Sequence, residues 1–225
     1  MADTKDMHAK QQCYVDFIER LRGGAINRLE WQKLYELLDH LSEGVPLVLQ
    51  RVTPADKFAR GRILDNREKF HSIRALAYPP EDRCNNFGRC NRPQHPVLYA
   101  GVGTELIFSE IGAKPGDVVG LLHLSPLKEI FCARLGALSL WRRTSGGCLL
   151  SETLKTEIHR IHKNPENITA FLLDAFVSDY FGRLGGEEAY KLTSAYTAVI
   201  LSSHPQIAGL IPDCRGQELF GLRDL

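Results

Sequence analysis

Between Gly88 and Glu110 the chain reads GRCNRPQHPVLYAGVGTELIFSE, and three of its side chains, Arg89, Tyr99 and Glu110, could do chemistry together. A guanidinium fork matches phosphate oxygens in two-point contacts that an ammonium does not reproduce. A phenol can stack on a ring or donate a hydrogen bond to a ribose hydroxyl. A carboxylate can orient a ribose hydroxyl, stabilise oxocarbenium-like charge at an anomeric carbon, or act as a base. The substrate this trio suits is anionic and ribose-bearing, and the reaction is cleavage of an N-glycosidic bond in a dinucleotide. Upstream, Arg60 and Arg62 stand at alternate positions of Phe58-Ala-Arg-Gly-Arg-Ile63. In an extended segment they would face one way and offer the second contact a pyrophosphate needs.

Each residue also has a plainer use. An arginine in a Gly/Asn/Pro-rich loop can pin a loop carbonyl, a tyrosine ending a strand can be half-buried core, and a glutamate on an amphipathic helix can face solvent. Other chemistries are less well supported. Gly101-Val102-Gly103 does not reach a phosphate-loop or dinucleotide fingerprint. Ser194, Ser202 and Ser203 lack a nucleophile elbow. His123 lies in an apolar run and is expected to be a packed core histidine. Cys84, Cys90 and His95 are too loosely spaced for a zinc site and no fourth ligand is evident, so no metal is expected.

The trio must be positioned by a turn, a strand and a helix. Pro96–Ala100 reads as a short buried strand. Gly101 and Gly103 break it, and Thr104 is expected to cap a helix carrying Leu106, Ile107 and Glu110. Before it, 12–44 read as two helices. Tyr14, Phe17, Ile18 and Leu21 recur at helical spacing in the first. Asn27 would cap the second, with Trp31, Leu34, Leu38 and Leu41 on one side. This pair forms an extension, 1–45, whose apolar face must be covered by the main domain or by a partner. The main domain, 46–225, opens with a strand at 46–52 and a second at 58–63. A long irregular connection over 66–88 follows, then a strand at 117–124. Helices are expected at 151–162, 166–182 and 187–201, the second with Ile168, Phe171, Leu172, Ala175 and Phe176 on one face. A short final strand at 207–211 closes the series. Helices and strands mix without regular alternation, which argues for an α+β fold.

Bulk properties narrow the function further. At 225 residues and a net charge of +1, neither nucleic acid nor an anionic membrane would be drawn by bulk electrostatics. The polar start MADTKDMHAKQQ does not read as a signal peptide. No apolar run is long enough to span a bilayer, so the expected location is the cytoplasm. The 6 cysteines show no disulfide framework and are expected to be free thiols.

Gly-Arg-x-Asn, a short loop, Pro-Val-Leu-Tyr-Ala and a helix ending in Ser-Glu together resemble the RES domain family. Phe58-Ala-Arg-Gly-Arg, Tyr78-Pro79-Pro80 and Tyr190-Lys-Leu-Thr-Ser-Ala-Tyr196 are similar to a longer RES subgroup with a helical N-terminal extension. The resemblance covers roughly 46–211. It implies a compact ADP-ribosyltransferase-like fold and a toxin that consumes NAD by phosphorolysis or hydrolysis of the nicotinamide–ribose bond, checked by an antitoxin. NAD would be the substrate, inorganic phosphate a co-substrate, and no cofactor is implied. Arg89, Tyr99 and Glu110 match the family's Arg, Tyr and Glu, while Arg60 or Arg62 matches a further upstream arginine. Asn91 joins these two as a substrate-binding position. The family's Ser follows a late Gly-hydrophobic strand, with an Asn beyond it. Here Ala208–Ile211 leads into Pro212-Asp213-Cys214-Arg215 and no Ser or Asn follows. Asp213 or Cys214 would take the place, or the last strand would be missing. Two alternatives to an NAD-degrading enzyme therefore stand: a catalytically impaired nucleotide-binding relative, and a protein ADP-ribosyltransferase. The N-terminal helices could serve an antitoxin or a homo-oligomer contact.

Overall fold

The computed structural model describes residues 4–22, 24, 28–64, 72–139, 152–163, 167–182, 186–214 and 217–222. Asn27, expected to cap the second helix, and the side chains of Leu21, Leu106, Asp213 and Cys214 lie outside that description.

The fold is α+β, built on a seven-stranded sheet in the order β1-β5-β6-β7-β3-β2-β4. The strands are β1 (Val48–Val52), β2 (Phe58–Leu64), β3 (Leu98–Gly101), β4 (Val118–Leu124), β5 (Ile130–Leu135), β6 (Ile207–Cys214) and β7 (Gln217–Leu222). Among the described residues β5 and β6 run parallel and the other neighbours antiparallel. The main helices are α1 (Thr4–Arg22), α2 (Trp31–Ser42), α3 (Ile73–Ala77), α4 (Thr104–Glu110), α5 (Glu152–His162), α6 (Ile168–Gly182) and α7 (Glu187–Ser203).

Two strands were not expected. β5, Ile-Phe-Cys-Ala-Arg-Leu, is a nearly continuous apolar run, as a strand with its faces covered should be. β7 removes the alternative in which the last strand is missing. It follows β6 as a hairpin, with Cys214 opposite Gln217, and joins β6 to β3 across the sheet. The connection 66–88 is also more ordered than expected, since α3 and a 3-10 turn at Glu81–Arg83 occupy part of it.

Strand pairing fixes which side chains share a face. Ala59 opposes Gly101, Tyr99 opposes Gly221 and Gly221 opposes Leu210, so these residues line one face. That face carries the main core. Leu210, Ala133 and Leu135 pack there with Phe176, Val177 and Phe181 of α6 and Leu192, Tyr196 and Val199 of α7. The opposite face carries Phe58, Leu98, Ala100, Cys132 and Ile211 in a second, smaller cluster, where burial pushes the Cys132 thiol up to about 12.

The apolar face of α1 and α2 is covered by this same chain. Tyr14, Leu34, Leu38 and Leu41 belong to the main core. Trp31 donates its indole N–H to Ser194 Oγ (3.1 Å), and the hydroxyls of Tyr35 and Ser202 are 2.8 Å apart, so α2 is tied to α7 by polar contacts as well. The Tyr14 hydroxyl donates to the carbonyl of Leu41, joining α1 to the last turn of α2. Burial first, then Cys13, push this phenol up to about 12.

A phenol raised above its unfolded value favours the folded state fully below pH ~10, and that advantage is lost as pH rises toward its folded value. Tyr99 and Tyr196 are raised too, with burial the first cause in both, and act in the same direction. The urea midpoint should therefore fall steeply between pH 10 and 12, and Tyr14→Phe should make that fall shallower. An unchanged slope in Tyr14→Phe would count against this account.

The expected face of α6 is corrected. Of the expected face Phe171 and Phe176 are buried and Leu172 is half-buried, but Ala175 is exposed and Ile168 is 45% exposed, and Ala170, Leu173, Val177, Tyr180 and Phe181 are buried as well. The helix is apolar on most sides and is packed from two directions, so its own periodicity does not single out one stripe. His123 is corrected as well. It stands exposed on the edge strand β4, not in the core. Among the described residues no helix is long and apolar enough to cross a membrane.

Candidate active site

The turn bearing Arg89 is closed on itself. The Gly88 N–H donates to the Asn91 carbonyl at 2.9 Å. A side chain at position 88 would run into Asn91 Oδ1 and the Tyr99 hydroxyl, so only glycine leaves the turn room to close. Tyr99 reaches the turn from the middle of β3. Its hydroxyl accepts the Cys90 N–H at 2.7 Å and donates to Asn91 Oδ1 at 2.9 Å. Asn91 in turn donates through Nδ2 to Cys84 Sγ (3.1 Å) and the Arg92 carbonyl (3.3 Å). Burial holds the Tyr99 phenol well above its ordinary value, with nearby Cys90 adding to the shift. It stays protonated and remains a donor to Asn91.

This network presents Arg89. Its Nη1 lies 3.6 Å from Glu110 Oε1, with the Arg89 side chain 15% and the Glu110 side chain 34% exposed. At that separation the contact is an ion pair with hydrogen-bonding capacity left on both partners. Glu110 is the last residue of α4, seven residues long, whose start differs from expectation. The cap position is Gly103, at φ 85°, and Thr104 is the first helical residue rather than the cap. The positive φ is one glycine adopts freely, and it turns the chain sharply from β3 into α4. The helix then seats Ile107 and Ile111 on β2 at Gly61, where a β-carbon would overlap Ile107. Glycine at position 61 thus sets how closely α4, and with it Glu110, approaches the sheet.

Arg60 and Arg62 share a face of β2, as alternation requires. Because Gly61 faces α4, that shared face is the opposite one, away from Glu110. Arg60 spans the gap between β2 and β3, which register a single pair at Ala59 and Gly101. Its Nη1 donates to the Tyr99 carbonyl (2.9 Å) and its Nε to the Leu76 carbonyl (2.9 Å). Burial first and Arg62 second lower its pKa, as expected for a guanidinium enclosed beside another. The structure therefore brings Arg89 and Glu110 together beside the Tyr99–Asn91 network. Arg60 is placed as a brace behind β3, and Arg62 lies on that same far face.

Replacing Tyr99 by phenylalanine would leave the Cys90 N–H and Asn91 Oδ1 without their partner. The expected cost is about 1–3 kcal/mol of stability, read from urea unfolding. A cost near zero would mean that the hydroxyl does not hold the turn.

Sequence reasoning placed Gly88 within the motif but gave no part to Cys84, although Cys84 receives the Asn91 amide and its carbonyl accepts the Gln94 N–H at 2.6 Å. Gln94 stands at φ 63° in that tight loop, a conformation its residue type does not announce. Among the described residues no group of three or more His, Cys, Asp or Glu side chains is arranged to hold a metal ion. Cys84, Cys90 and Cys132 are buried and Cys13 is exposed, and none of these four is joined in a disulfide. Comparison of the chain with family models, curated proteins and solved structures finds no match.

Proposed function

We propose that the chain is an NAD-cleaving enzyme of the RES kind, with an ADP-ribosyltransferase-like arrangement, and that Arg89 and Glu110 carry the reaction. The observation that supports it most is the 3.6 Å pairing of a guanidinium and a carboxylate drawn from two elements, on a turn fixed by Tyr99 and Asn91. In this reading the unused edge of the Arg89 fork takes a phosphate oxygen of the dinucleotide. Glu110 meets the nicotinamide ribose, orienting a hydroxyl and offsetting positive charge at the anomeric carbon. The bond from that carbon to the pyridinium nitrogen breaks, and its electron pair leaves with neutral nicotinamide. Water or inorganic phosphate adds to the carbon and gives up a proton. The α+β fold and the mixed sheet are compatible with this assignment. Such an activity would make the protein toxic to a cell that expresses it without a neutralising partner.

NAD labelled in its adenylate half distinguishes the acceptors. Free ADP-ribose indicates water, a phosphorylated ADP-ribose indicates phosphate, and label retained on macromolecules indicates protein transfer. Tight binding with the label left wholly in NAD would contradict the enzymatic reading and favour a nucleotide-binding relative.

A further inference from the structure

We propose that the cleft between α2, α7 and the loop 90–97 is a second binding site, one that takes a small aromatic carboxylate. Its volume is about 450 Å³, within the range of small-molecule pockets, which is roughly 300–1,000 Å³. Neither Arg89 nor Glu110 lines it, while Cys90 and Asn91, which hold the Arg89 turn, do, so it adjoins the site above from the other side of that turn.

The walls suit a flat apolar body. Trp31 and Tyr35 stack with ring centroids 5.6 Å apart and planes 28° from parallel. Their polar ends are already taken by Ser194 and Ser202, so the rings are held in place as part of the wall. Val97 and Leu201 add aliphatic surface. A pocket whose aromatic walls are fixed in advance loses little freedom when it is filled.

The charge suits an anion. Arg92 and His95 both line the cleft, and no Asp or Glu does. Among the described residues the Arg92 guanidinium has no carboxylate partner, and it lies 4.9 Å from the centroid of the Trp31 ring. A guanidinium over an indole keeps its in-plane N–H groups available at the ring edge. A carboxylate can accept two of them at once while the attached ring lies against the apolar wall. A neutral ring would leave the exposed Arg92 guanidinium to water and gain nothing from it, whereas a carboxylate pairs with it.

The test is calorimetric titration of the full chain with indole-3-carboxylate and, separately, with neutral indole. The expected result is saturable binding of the carboxylate, at least tenfold weaker binding of indole, and at least tenfold loss of carboxylate affinity in Arg92→Gln. That substitution leaves intact the backbone carbonyl of residue 92, which accepts from Asn91 and His95. Ala198→Phe, which narrows the cleft from α7, is expected to reduce binding of both probes. Absence of saturable heat with the wild-type chain would overturn the proposal, as would equal binding of the two probes with Arg92→Gln unchanged. Displacement of indole-3-carboxylate by NAD would overturn it as a separate site. None of these outcomes depends on whether NAD is cleaved.

Discussion

Glu110→Gln is expected to slow nicotinamide release from NAD by about a hundredfold to ten-thousandfold, the usual range for loss of a positioned acid–base group. The amide keeps the size of the side chain and can still hydrogen-bond. It carries no negative charge to set against a developing oxocarbenium ion, and it cannot take a proton from the acceptor. The loss should appear in kcat more than in KM, since the charge being answered forms mainly in the transition state. Stability should change little. The Glu110 side chain is about one-third exposed and its ion pair is long, and pairs of that kind contribute about 0–1 kcal/mol. A variant that unfolds less cooperatively, or at a much lower midpoint, would mean that Glu110 holds α4 in place and that lost activity says nothing about chemistry.

Arg89→Ala should act differently. Two charge-assisted hydrogen bonds to a phosphate, at about 1.5–3 kcal/mol each, correspond to roughly a hundredfold or greater loss of NAD affinity, seen mostly as a raised KM. Arg89→Lys should recover only a small part of this, because an ammonium cannot form the parallel pair that the fork makes. Full recovery by lysine would show that a point charge suffices and would remove the argument from planar geometry. The two variants thus divide the work of the site. One reports on recognition of the phosphate and the other on the step at the anomeric carbon.

Much of the positioning was legible in the residues because it rests on local signals. The strand expected at Pro96–Ala100 is present as Leu98–Gly101; Gly101 extends it rather than breaking it, and the reversal into α4 comes at Gly103. The alternation that puts Arg60 and Arg62 on one face is a property of any strand. What alternation could not supply was the identity of that face. It depends on α4 lying over Gly61, a contact between elements more than forty residues apart. The tyrosine hydroxyl was legible as a hydrogen-bonding group and not as the anchor of its own loop, since its partners Cys90 and Asn91 are fixed only when β3 and the turn fold together.

β7 was missed for a different reason. The run Gln217–Leu222 is short, with a single clear apolar stretch, and its register comes from pairing with β6 and β3 rather than from its own pattern. Helix α6 shows the opposite failure. Its abundance of apolar residues made it easy to recognise as a helix and hid which sides are buried.

The measurement that bears most directly on the central claim is the time course of nicotinamide formation from NAD held below the wild-type KM, with inorganic phosphate present, by the wild-type chain beside Arg89→Ala and Glu110→Gln. The account predicts catalytic accumulation of nicotinamide by the wild type and loss of nearly all of it in both variants, with their unfolding midpoints close to wild type. NAD left intact by the wild-type chain at stoichiometric concentration, or variants that match its rate, would contradict it.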